Sequence, residues 1–214
     1  MQRKSLQEAT TAYHESLIGS PAEEHLENRG LLRPAVRPKT EAFRLGYVAE
    51  PHPGHEMYRG MLAIPYLRRG DNGDWSVVSL RFRCLEDHEH KQHGKYNTTP
   101  GDRPRLFNTL ALLRPNPTML ITEGEIDALT AQVYGFDAVA VPGATAWQPR
   151  FREPLLGYET VFILADGDEP GMRFATNVAK ELPNAKVIPC PQGEDVNSWI
   201  TTPDGFAEFK ERIT

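Results

Sequence analysis

At 214 residues, with 39% hydrophobic and 25% charged residues, the chain is long enough to bury one large core or two small ones and has a globular composition. A formal net charge of −5 does not advertise a nucleic-acid binder, so that role would need a local basic face. Two cysteines, Cys84 and Cys190, exclude a disulfide scaffold and point to a reducing cytoplasm, and no apolar stretch nears the roughly 20 residues of a bilayer span.

The first third reads as helical. Leu6, Ala9, Tyr13 and Leu17 recur at intervals of three or four, the stripe of an amphipathic helix that Gly19 ends. Ser20-Pro21-Ala22-Glu23 then supplies an N-cap, a proline at the first helical position and a glutamate at N3, predicting a helix to Arg29 that stops at Gly30. A short helical piece is expected over residues 39–44. The period changes in the middle third: residues 61–67 read as a strand, and residues 69–74 as a tight turn. Residues 75–85 alternate, with Val78, Leu80 and Phe82 on one face and Val77, Ser79, Arg81 and Arg83 on the other. The polar residues 86–105 are expected to be an irregular, functional loop.

The last third alternates strands (118–122, 138–141, 160–165, 186–189) with helices (124–134, 170–182) before a mostly helical tail. This rhythm predicts a parallel sheet flanked by helices. Ligands of such sheets bind at the carboxyl ends of the strands. Those ends carry Glu123, then Asp166 and Asp168, then Glu194 and Asp195, with Asp127 one helical turn beyond Glu123. Carboxylates gathered this way repel unless a cation sits among them, and hard divalent ions take oxygen ligands. Glu125 reads as favouring the positive end of its helix.

At these positions the chain resembles a known family. Glu123-Gly124-x-x-Asp127 at a strand end, followed some forty residues later by an apolar strand and Asp166-x-Asp168-x-x-Gly171, resembles the Toprim domain of DnaG-type primases, topoisomerases and several nucleases. Asn28-Arg29-Gly30-Leu31, Phe43-Arg44-Leu45-Gly46-Tyr47, residues 61–65, the arginine-bearing strand, Lys95-Tyr96-Asn97-Thr98 and Leu106-Phe107-Asn108 resemble the bacterial and phage primase catalytic core, in that family's order. The implied fold is α/β: a Toprim-like parallel sheet flanked by helices over residues 116–214, with a smaller N-terminal α+β subdomain over residues 1–115. The implied activity is synthesis of short RNA primers on single-stranded DNA, in which a 3′-hydroxyl attacks the α-phosphorus of a ribonucleoside triphosphate and pyrophosphate leaves.

By the same resemblance, Glu123, Asp166 and Asp168 are the catalytic residues, and with Asp127 and Asp195 they hold Mg²⁺ or Mn²⁺, two ions being expected. Arg83, Lys95, Arg81 and Asn97 are assigned to nucleic acid or nucleotide, a reading that Lys91, Arg103 and Arg105 in the adjoining loop support by charge. The expected partners are a single-stranded DNA template, ribonucleoside triphosphates and, since the chain carries no N-terminal zinc module or C-terminal helicase-binding region of the family's kind, a separate zinc-binding module or replicative helicase. No membrane is expected, and a compact chain of this sort suggests a phage or mobile-element protein. The alternatives are a Toprim nuclease using the same metals, or a non-catalytic replication accessory protein.

Cys84, His88, His90 and His93 lie close in sequence, but their spacing matches no common structural zinc pattern, so zinc is not expected. Trp147, Trp199, Tyr58 and Tyr66 read as core aromatics.

Overall fold

The computed structural model describes residues 2–70, 73–90 and 93–213. The chain forms two compact units, Met1–Arg103 and Pro104–Thr214.

In the first unit, helix α1 (Gln2–Glu15) buries Ala9 and Tyr13, with Leu17 just past its end. The Tyr13 hydroxyl accepts a hydrogen bond from the His52 amide at 2.9 Å and meets His55 Nδ1 at 2.9 Å, anchoring the helix to the chain that follows. Helix α2 (Pro21–Asn28) starts as its sequence dictates, with the Ser20 hydroxyl accepting from the Glu23 amide. Helix α3 (Arg37–Glu41) begins two residues before the expected position and ends three before it. Its last carbonyls are closed by a turn in which Arg44 takes a left-handed φ of 53°.

Strands β1 (Gly46–Tyr47), β2 (Leu62–Arg69), β3 (Trp75–Arg83) and β4 (Tyr96–Thr98) form an antiparallel sheet in that order. The β2–β3 turn is held by Gly73 N–H to Gly70 C=O at 3.0 Å; Asp71, Asn72 and the loop cation Lys91 lie outside the described residues. The sheet differs from the sequence reading in two respects. Tyr66 pairs with Ser79 while Leu67 pairs with Val77, so Val78 is a bulge; Val77 is fully buried and Val78 only half so. The segment expected to be wholly irregular contains β4, whose Tyr96, Asn97 and Thr98 pair with Arg83, Phe82 and Arg81. Three polar residues carry no periodicity to announce a strand; the edge of β3 supplies the order.

The second unit is built on a parallel sheet in the order β6-β5-β7-β8, from β5 (Thr118–Thr122), β6 (Ala138–Ala140), β7 (Thr160–Ala165) and β8 (Ala185–Pro189). Met119, Ile121, Val139, Val161, Ile163 and Ala165 bury one face against Phe174, Ala175 and Val178 of α5 (Glu169–Ala179). The residues of opposite parity are buried as well, as a sheet covered on both sides requires. Helix α4 (Glu125–Val133) packs on β5 and β6, and α6 (Val196–Ile200) and α7 (Pro203–Arg212) continue that layer. Trp199 is buried edge-on to Phe209. Among the described residues no helix is long and apolar enough to cross a membrane.

Candidate functional site

Three strand ends bring the acidic residues together. β5 ends into Glu123, and β7 ends into Asp166-Gly167-Asp168. The turn after β8 delivers Asp195 as the N-cap of α6, its carboxylate accepting the Ser198 amide at 2.7 Å in a capping box. Asp127, in the first turn of α4, accepts the Asn197 amide at 3.1 Å, which ties α4 to the start of α6 beside Asp195. Asp168 caps α5, its Oδ1 accepting the Gly171 amide at 2.7 Å.

Close backbone packing keeps these turns in place. The Gly167 amide donates to Glu194 C=O at 2.8 Å, and the Gly193 amide donates back to Gly167 C=O at 2.9 Å. A Cβ at Gly167 would overlap the Pro191 carbonyl, and one at Gly171 would stand 2.8 Å from the Asp166 nitrogen. Only glycine lets the two loops and the first turn of α5 close on Asp166.

The electrostatic consequence is plain. Burial, reinforced by Asp166 and then Asp168, pushes the Glu123 carboxyl up to about 7. Burial, with Asp195 and then Asp168, pushes Asp166 up to about 6. Glu123 Oε1 and Asp166 Oδ1 are buried without a hydrogen-bond partner. Buried carboxylate oxygens with neither donor nor counter-charge are costly, and a hard divalent cation is the group whose chemistry they fit. Cys190, which sequence reading passed over, is buried beside Asp166, Asp127 and Asp195, and burial together with those charges raises its thiol far above its ordinary range, so it stays neutral.

The first unit holds the basic residues. Arg83 is buried, Arg81 half-buried, and their guanidinium carbons lie 5.1 and 5.3 Å from the centre of the Tyr96 ring; Arg83 also donates to the Tyr96 hydroxyl. Sequence alone gives Tyr96 no role beyond its motif; the pairing of Arg83 with Tyr96 across β3 and β4 makes it the platform for both arginines. Asn97 uses its amide to donate to Gly94 C=O at 2.7 Å, closing the loop rather than reaching outward. Lys95 is exposed. His25, on α2, was also missed: burial first, then Arg83, Arg29 and Lys95, lower it to about 4, so it is neutral amid a cationic field.

The remaining aromatic residues pack as expected. Tyr58 stacks on Phe82 with centroids 4.0 Å apart and donates to Thr98 C=O at 2.8 Å, Tyr66 is buried, and Trp199 donates to Glu208 at 3.1 Å. Trp147 packs against Phe151 at the margin of the second core.

Residues 120–200 match the Toprim-like family. The gene 57 protein of Mycobacterium phage D29 is 59% identical over 157 residues, which is 73% of this chain and 100% of that protein. Among solved structures, the zinc-binding and RNA polymerase domains of the Aquifex aeolicus primase match with TM-score 0.76 and 23% identity over 98% of this chain and 59% of that one. A DnaG primase catalytic domain bound to single-stranded DNA matches with TM-score 0.72 and 21% identity over 98% and 77% of the two chains.

Proposed function

Because the chain belongs to the same family as the gene 57 protein of Mycobacterium phage D29 and has the fold of DnaG-type primase catalytic cores, we propose that it is the RNA-polymerising core of a DNA primase. The observation that carries this reading is the set of carboxylates, two with buried unpartnered oxygens, at the carboxyl edge of the Toprim-like sheet.

Asp166 and Asp168, with Glu123 and with Asp127 and Asp195 in support, would hold Mg²⁺ or Mn²⁺, which when bound neutralises triphosphate charge and makes the attacking hydroxyl more acidic. The capping bonds hold Asp168 and Asp195 in fixed rotamers, so no reorganisation is needed as substrate arrives. Glu123, gathered with Asp166 and Asp168 at the sheet edge, would receive the proton of the 3′-hydroxyl as that oxygen bonds to the α-phosphorus and pyrophosphate departs. Arg83 and Arg81, braced on Tyr96, and the exposed Lys95 are assigned to phosphates of template or nucleotide. The DnaG catalytic domain solved with single-stranded DNA supports the choice of template.

The test is direct. Purified protein is incubated with single-stranded DNA, labelled ribonucleoside triphosphates and Mg²⁺ or Mn²⁺, and the products are resolved by length. Short labelled RNA is expected. Shortened DNA would transfer the site to a nuclease, and DNA binding with no product in either metal would reduce the protein to an accessory role.

A further inference from the structure

The connection between β3 and β4 gathers a second, chemically different set of ligands. Cys84 Sγ, a nitrogen of His88, one of His90 and one of His93 all lie within 4.8 Å of one another. Ligand atoms around a tetrahedral zinc, with bonds of about 2.0–2.3 Å, stand roughly 3.3–3.8 Å apart. Cys84 Sγ and His88 Nε2 are already at 3.5 Å, and small rotations of the other side chains suffice for the rest. The three imidazoles converge without stacking: their centroids are 4.6, 5.1 and 5.5 Å apart, with planes inclined by 59°, 76° and 56°.

The hydrogen bonds around the cluster match what a metal would require. His88 Nδ1 contacts Glu89 C=O at 3.1 Å, and His93 Nδ1 contacts Gly94 C=O at 3.1 Å. A backbone carbonyl on Nδ1 fixes the tautomer that leaves Nε2 as the electron-pair donor, the usual support of a ligating histidine. His90 Nδ1 is buried without a hydrogen-bond partner. Glu86 Oε2 stands 3.6 Å from His88 Nε2. Four residues whose spacing matches no common motif thus converge in space, because the Cys84 amide donates to Lys95 C=O at 2.9 Å and folds the connection back on its own stem.

We propose that Cys84, His88, His90 and His93 form a closed, four-coordinate site for a transition-metal ion, zinc being the ion that one thiolate and three imidazoles suit. The site is separate in chemistry from the carboxylate cluster, whose oxygens select hard ions. With all four positions filled by protein, its role is structural: the ion clips the β3–β4 connection from Cys84, immediately beyond Arg83, to His93, two residues before Lys95, and so holds in register the stem that carries both.

The experiment uses the full chain without a polyhistidine tag, stripped of metal and titrated with Co²⁺. One equivalent is expected to bind with a thiolate-to-cobalt charge-transfer band and the visible d–d envelope of tetrahedral cobalt, and Zn²⁺ is expected to displace it. Cys84→Ser is expected to abolish the charge-transfer band, and His88→Asn and His93→Asn to weaken Co²⁺ binding by more than about tenfold. Circular dichroism of each variant reports whether it folds; the two histidine variants, away from the core, carry the test if the serine variant does not. Asp166→Asn is expected to leave the cobalt spectrum unchanged. The proposal is overturned if Co²⁺ fails to bind, if it binds without the charge-transfer band, if the spectrum survives the histidine variants, or if it disappears with Asp166→Asn. None of these readouts depends on primer synthesis.

Discussion

Glu123 and Asp166 sit where ionisation is unfavourable, and among the described residues each has a buried oxygen without a donor and like-charged neighbours. Replacing either by its amide removes the repulsion together with the chemistry. Glu123→Gln and Asp166→Asn are each expected to lower primer synthesis by about 10²-fold or more while raising chemical-denaturation stability in chelator by about 1 kcal/mol, a figure reduced from the full shift because solvent still reaches both groups. An amide variant that synthesises primers at the original rate would remove that residue from the site. Asn108 makes a different case. It adopts a left-handed φ of 56°, and its side-chain amide donates at 2.7 Å to both Gln132 Oε1 and the Ala138 C=O. Asparagine tolerates that conformation better than other non-glycine residues. Asn108→Ala loses the tolerance and both bonds, and is expected to cost about 2 kcal/mol in urea unfolding.

The first turn of α5 lies against Asp166 so closely that any side chain at Gly171 must move it. Gly171→Ala is therefore expected to cost about 1–3 kcal/mol and to lower activity through displacement of Asp166 and Asp168, with the Mg²⁺ concentration needed for half activity rising. An alanine variant with unchanged metal dependence would show that the turn tolerates the shift. The β3–β4 pair makes the complementary point about cations. Arg83→Ala is expected to weaken oligonucleotide binding and to reduce the slope of log affinity against log salt by about one. His25 offers a spectroscopic check on the same surface. Its depression to about 4 comes from burial and from Arg83, Arg29 and Lys95. Phosphates bound there offset the cationic part, so its NMR titration midpoint is expected to rise when the protein is saturated with oligonucleotide. A midpoint that stays put would place the DNA elsewhere.

Taken over the whole molecule, the raised carboxyls fix the sign of a pH dependence. Glu123 and Asp166 ionise at about 7 and about 6 in the folded chain, against ordinary values of 4.5 and 3.8. As pH rises from about 4, the unfolded chain gives up these protons first, so the folded state loses stability until pH passes about 7. In chelator, the melting temperature is expected to fall over that window for the parent protein, and to fall less in Asp166→Asn. Saturating Mg²⁺, which pairs with the ionised form, is expected to flatten the profile. A flat profile in chelator would mean that the cluster is better solvated than its burial implies.

Much of this was legible in the chain because it is local. Helix α2 declared itself through Ser20, Pro21 and Glu23, the parallel strands through short apolar runs, and the acidic edge through which residues follow those runs. These signals depend on neighbours within a turn or a strand, so linear order suffices to read them. The bulge at Val78, the strand at Tyr96–Thr98, the seating of Arg83 and Arg81 on Tyr96, and the convergence of Cys84 with three histidines were decided by how the strands pair and how the chain between them doubles back. A polar stretch takes its conformation from the edge it pairs with, and a ligand set takes its geometry from how the backbone doubles back. Neither is encoded in spacing alone, which is why only the folded molecule reveals them.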